Sequence, residues 1–193
     1  MGAAPLLKHS IAAYLESEEK SEVKHEFYKG EIFAMAGASI QHNQIASNAH
    51  VAIGSFKSDK GYNVFQSDLK IHVELNSLFT YPDLSIACGK IATLENHKDI
   101  VTNPSVLIEV LSYTTQDYDR GGKFKLYRDI PSLKEYILIS SIEVLVEKYS
   151  KQEDGTWILH EYKTLNDFFR IDIIEMQMEL KSLYKNVELE ATN

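Results

Sequence analysis

The chain has 193 residues, 44% hydrophobic and 25% charged. These values fit one folded domain with a sizeable core and exclude disordered or collagen-like classes. A single cysteine, Cys88, excludes an intrachain disulfide framework and a Cys-rich zinc site, and a net charge of −8 allows nucleic-acid binding only through a local basic patch or charge-offsetting metal ions.

Leu7, Ile11, Tyr14 and Leu15 recur at helical spacing ahead of the acidic run Glu16 to Glu22, and predict a short amphipathic helix. The run HEFYKGEIFAMAG, from His25 to Gly37, predicts two strands around a Lys29-Gly30 turn. Ser39 is a candidate N-cap for a helix with the apolar stripe Ile45, Ala49, Ala52, Ile53 and Phe56, ending near Gly61. Strands are predicted at Asn63–Gln66, Leu69–Glu74, Asp83–Ala87 and Ser105–Leu111. The last, SVLIEVL, is apolar enough to be buried on both faces. Thr114–Asp129 has helical character and is ended by Ile130-Pro131. Lys134–Ile139, Glu143–Ser150 and Trp157–Thr164 follow, the last two joined by the turn Glu153-Asp154-Gly155, and Met176–Tyr184 forms a short closing segment. Intermixed elements of this kind predict an α/β or α+β domain, a sheet with helices on its faces. With no linker or repeat in sight, a single domain over 1–193 is expected. No run approaches a membrane span, and the N-terminus turns acidic too early for a signal peptide. A soluble cytoplasmic protein is expected.

Glu109 is the most informative residue, because it interrupts a strand built for a dry interior. A buried carboxylate needs a partner, a proton or a metal; the plainer reading is an acid near a strand end that faces solvent. Asp83 follows Pro82 at the start of a strand and, taken alone, reads as a turn residue. Together, two acids on neighbouring strands can converge on one divalent ion, since hard cations take carboxylate oxygens and water. Glu31, just after the Lys29-Gly30 turn, could complete the shell, although alone it reads as a solvent-facing hairpin residue. Asp119, Lys123 and Tyr127 are four apart and share a helix face; the plainer reading is a surface ion pair. Arg120, Lys123, Lys125, Arg128 and Lys134 stand against two acids, a candidate phosphate-facing patch.

Other chemistries fit less well. The histidines form no HExxH pair, Gly121-Gly122-Lys123 lacks the rest of a phosphate-binding loop, and no GxSxG elbow occurs. His42 reads as structural and Cys88 as a small core residue.

Taken in order, several stretches resemble the Uma-two-type endonucleases, a bacterial branch of the PD-(D/E)XK superfamily. They are His25–Ile32 with Met35-Ala36-Gly37, His42-Asn43, Ser67–Lys70, Tyr81-Pro82-Asp83, Glu109–Ser112 with Thr114-Thr115, Asp119-Arg120-Gly121 with Lys123 and Tyr127, and Pro131–Tyr136. The resemblance runs from about Tyr14 to about Tyr184. It implies a restriction-endonuclease-like fold, a mixed β-sheet flanked by helices, in a homodimer acting on DNA with Mg²⁺ or Mn²⁺. It further implies Asp83 and Glu109 as catalytic acids and metal ligands, with Glu31 as a further ligand. The superfamily lysine position holds Leu111, so Lys123 is implied as the displaced catalytic lysine, with Asp119 and Tyr127 as auxiliary residues. The alternative is a non-catalytic nucleic-acid-binding or assembly module that keeps the nuclease fold. In a third reading Glu109 simply pairs with a nearby Lys or Arg.

Overall fold

The computed structural model describes residues 8–189. Ser10 caps helix α1 (Ile11–Glu18), its side chain accepting the Ala13 N–H, and the helix buries Tyr14. Leu7, first of the predicted stripe, lies outside the described residues. The hairpin is present as β1 (His25–Tyr28) and β2 (Glu31–Ala34). Its turn puts Lys29 at φ 49° and Gly30 at φ 93°, and a Cβ on Gly30 would stand 2.9 Å from the Lys8 Cβ, so this turn needs glycine. Ser39 caps α2 (Ile40–Ser55) by accepting the His42 N–H. That helix buries Ile45, Ala49 and Ile53 and stops well short of Gly61, where Phe56 takes extended backbone.

The strands that follow are β3 (Tyr62–Gln66), β4 (Lys70–Val73), β5 (Leu78–Thr80), β6 (Leu84–Cys88), β7 (Ile100–Val101) and β8 (Val106–Leu111). Helix α3 (Gln116–Tyr118) continues through a π-helical stretch, Asp119–Lys123, into α4 (Phe124–Tyr127). Then come β9 (Glu135–Ser140), β10 (Val146–Lys151), β11 (Trp157–Tyr162), β12 (Phe168–Ile171), β13 (Met176–Glu179) and α5 (Leu180–Leu183). The predicted closing segment is thus a strand and a helical turn. Strands β5, β7 and β12 are too short, or too weakly alternating, to read from sequence.

A six-stranded mixed sheet, ordered β11-β10-β9-β8-β6-β3, forms the centre. Within it β8 and β9 run parallel and the other neighbours antiparallel. A second sheet, β2-β1-β5-β4-β7, and the β12-β13 pair add to the single sheet expected from sequence. Strand β8 is buried along its whole length, as its apolar run requires. Val106, Ile108 and Val110 face the core shared with Ile45, Ala49 and Ile53 of α2. Leu107 and Leu111 face the core shared with Phe124, Leu126 and Tyr127. By strand alternation Glu109 points to this second side, towards the 116–127 helical segment. No helix among the described residues is long and apolar enough to cross a membrane.

Candidate active site

Antiparallel pairing of β6 with β8 sets Leu84 across from Ile108, so Asp83 stands across from Glu109. Two hydrogen bonds tie them: the Val110 N–H donates to Asp83 Oδ2 at 2.7 Å, and the Asp83 N–H to Glu109 Oε2 at 3.4 Å. Glu109 is 4% exposed. Its Oε1 accepts the Tyr127 hydroxyl at 2.8 Å and lies 2.9 Å from Lys123 Nζ. The same ammonium stands 3.2 Å from Glu26 Oε1 and 3.7 Å from Asp119 Oδ1.

The π-helical stretch makes this arrangement possible. Asp119 and Lys123 are both buried on its inner side, where Lys123 is 5% exposed. A surface ion pair is therefore not what the sequence encodes here. Gly122 keeps the turn open: a Cβ there would stand 2.9 Å from the Tyr118 ring. Such π-turns inside helices recur at functional sites.

Of the residues singled out from sequence, Asp83, Glu109, Asp119, Lys123 and Tyr127 come together. Glu31 does not join them. It sits at the hairpin tip across from Tyr28, and the third carboxylate near the lysine is Glu26, one pleat back on β1. Glu26 is held by the Thr80 hydroxyl, whose oxygen also lies 3.3 Å from the Tyr127 hydroxyl. Sequence reasoning missed both Glu26 and Thr80. The available signal was the alternation of HEFY, which puts Glu26 on the same strand face as Tyr28, across from which Glu31 lies. His42, read as structural, places Nε2 3.1 Å from Asp83 Oδ2, and its Nδ1 is buried without a hydrogen-bond partner. The predicted basic patch is divided. Lys123 is spent on carboxylates, Arg120 Nε bonds Glu147 at 2.7 Å, and Lys125 and Arg128 lie on the outer side of the helix.

Burial pushes the Glu109 carboxyl up to about 8; Lys123 pulls it down, while Asp119 and Asp83 push it further up. Burial likewise raises Asp119 against the pull of Lys123. Burial by itself disfavours the Lys123 ammonium, but Glu109, Glu26 and Asp119 outweigh it and hold the amine well above its ordinary value. The cluster thus keeps a charged lysine among carboxylates that share its positive charge and a limited number of protons.

A cleft of about 1050 Å³ opens over these groups and reaches the exposed rings of Phe33, Tyr113 and Tyr118. Among the described residues no three His, Cys, Asp or Glu side chains form a metal cage by themselves. Asp83 and Glu109 nevertheless match the smaller donor set of an ion held by one or two carboxylates and completed by water or phosphate. Asp83 Oδ1 makes no hydrogen bond or ion pair among the described residues, and Glu109 Oε2 has only its long contact with the Asp83 N–H. The residues therefore fit a hard divalent cation.

Comparison with known proteins gives the family and the fold. The family described as "Uma2: Putative restriction endonuclease" matches residues 11–182. "Uncharacterized protein slr1290" of Synechocystis sp. (strain ATCC 27184 / PCC 6803 / Kazusa) is 33% identical over 185 residues, 96% of each chain. "Uncharacterized protein sll1609" of the same organism is 37% identical over 152 residues, 79% of this chain and 86% of the relative. A crystal structure of "a putative nuclease belonging to DUF820 from Anabaena variabilis ATCC 29413" superposes with a TM-score of 0.69 at 18% identity. The superposition covers 90% of this chain and 96% of that one. The fold is the restriction-endonuclease-like α+β arrangement, a mixed sheet flanked by helices.

Proposed function

The chain belongs to the Uma2 family, and from that premise we propose that it is a cytoplasmic, homodimeric DNA endonuclease dependent on Mg²⁺ or Mn²⁺, built as one domain over 1–193. The observation that carries the proposal is the meeting of Asp83 and Glu109 across β6 and β8, with Lys123 Nζ 2.9 Å from Glu109. The homodimer and the DNA substrate rest on the family.

In this reading Asp83 and Glu109 hold the ion. A bound divalent ion supplies Lewis acidity, lowering the pKa of water and offsetting charge on a phosphate. The protein's own groups prepare the site for that chemistry. The Val110 N–H and His42 orient Asp83, and the Tyr127 hydroxyl fixes one oxygen of Glu109. Lys123 offers a permanently charged donor at the carboxylates, where it orients an attacking water or stabilises charge growing on phosphate oxygens. Glu26 and Asp119 keep that amine charged and aimed. Burial raises the Glu109 carboxyl to about 8, and an ion held by Asp83 and Glu109 would favour its ionised form.

One observation favours a second reading. Lys123 already pairs with Glu109 and Glu26 from within, as it would in a binding module that keeps the fold without turnover. Crystals soaked in Mn²⁺ separate the two. The nuclease reading expects an anomalous peak bonded to Asp83 and Glu109. An empty site at saturating Mn²⁺ favours the binding module.

A further inference from the structure

On the outer side of the 116–127 helical segment lies a second cleft, of about 660 Å³. Lys29, Lys125, Arg128 and Lys151 line it, with the rings of Tyr28 and Trp157 and a single acid, Asp129. Asp129 is engaged by the Asn76 amide at 2.9 Å. Elsewhere some lysines and arginines are tied to carboxylates, as are Lys20, Lys24, Lys60, Arg120, Lys148, Lys163 and Arg170, while Lys57, Lys90, Lys98 and Lys185, scattered over the surface, make no ion pair among the described residues. None of the four cleft cations makes an ion pair among the described residues. They come from three separate places: the β1-β2 turn, the helix and the end of β10. Lys29 and Arg128 instead lie over aromatic rings, Tyr28 and Phe124, each at 5.2 Å. In a chain of net charge −8, four unpaired cations against one occupied acid form a local positive field bounded by repulsive surface.

We propose that this cleft binds the phosphodiester backbone of a nucleic-acid strand, with the partly exposed rings of Tyr28 and Trp157 as the apolar contacts for an unpaired base. Cations that track phosphates beside stacking rings are the physical requirement for strand binding. The choice of nucleic acid among polyanions rests on the nuclease reading. The cleft shares its supporting elements with the carboxylate site. Lys123 and Tyr127 face inward from the helix that carries Lys125 and Arg128, and Glu26 lies on the strand that carries Tyr28. It thus supplies the phosphate contacts that the acid-rich active-site cleft lacks.

The chain has one tryptophan, and it lies in this cleft, so its fluorescence is a local reporter. The test titrates a single-stranded oligodeoxynucleotide into the full chain in EDTA, reading Trp157 emission and the anisotropy of a labelled strand at several salt concentrations. The expected result is quenching of Trp157. In Lys125→Gln/Arg128→Gln/Lys151→Gln, affinity should fall about tenfold or more and the log–log salt slope should shrink by about 2. Absent quenching, or a triple variant that binds like the parent, would overturn the proposal. So would equal quenching by poly-glutamate of matched charge. Because EDTA removes the divalent ion, quenching in a protein that never cleaves DNA would keep this cleft and discard the nuclease reading. Cleavage without quenching would do the reverse.

Discussion

Removing the Lys123 amine should unfold much of what the site is built on. In Lys123→Ala, Glu109, Glu26 and Asp119 lose a cation at 2.9, 3.2 and 3.7 Å, and water reaches none of them freely. Breaking a buried pair from one side costs about 3–5 kcal/mol, because the remaining charge is left uncompensated. That is a large share of the roughly 5–15 kcal/mol holding a typical domain. The carboxylates can escape by taking protons, so the loss has a pH signature. It should be largest at alkaline pH, where Glu109 and Asp119 must ionise, and shrink as pH falls and these raised carboxyls take up protons. Urea unfolding as a function of pH measures it. Should the variant itself be too unstable, Lys123→Met combined with Glu109→Gln, which removes the closest pair and leaves Glu26 and Asp119 without the cation, should recover part of the loss. A loss under about 1 kcal/mol that does not change with pH would refute the buried-cluster account.

The parent protein should itself lose stability as pH rises. Glu109 is raised to about 8 in the folded state, so folding takes up a proton; its contribution is full below the unfolded value of about 4.5 and is lost as pH passes through about 8. Asp119, also raised, adds the same sign. Urea midpoints should therefore fall over this window, and Glu109→Gln should flatten the fall; an unchanged slope would count against it. Tyr127→Phe keeps the ring but removes the donor to Glu109, and should cost about 1–2 kcal/mol in the same assay, against no cost if the hydroxyl is idle. Asp83→Ala combined with Glu109→Ala should abolish the calorimetric heat of Mn²⁺ binding; a double variant that titrates like the parent would mean that the ion binds elsewhere.

Glu109 was legible in the sequence because a charge inside VLIEVL breaks an otherwise dry strand, and burial on both faces is what the structure has. Asp83 became legible only through its partner, since Pro-Asp alone marks a turn. The four-residue spacing of Asp119, Lys123 and Tyr127 gave their common face, but not its burial. That depends on the 116–127 segment packing onto β8, with Phe124, Leu126 and Tyr127 in the core of Leu107 and Leu111, a tertiary event. Glu26 was not legible for a similar reason: Glu31 is the hairpin acid that sequence singles out, and it stands away from Lys123. Both lie on one hairpin, and what selects Glu26 is β5, a three-residue strand that pairs with β1 only at Phe27 and Phe79 and brings Thr80 alongside. So short a strand carries no periodicity of its own. The basic run from Arg120 to Lys134 looked like one patch because sequence does not say which side of a helix each cation takes.

The central claim is that Asp83 and Glu109 form a metal-dependent phosphodiester-cleaving site. Conversion of supercoiled plasmid to open circles tests it most directly, with the parent and Asp83→Asn compared in Mn²⁺ and in EDTA. The account predicts nicking by the parent in Mn²⁺ alone and none by the variant. A parent that leaves the plasmid intact in Mn²⁺, or a variant that nicks as fast as the parent, would contradict it.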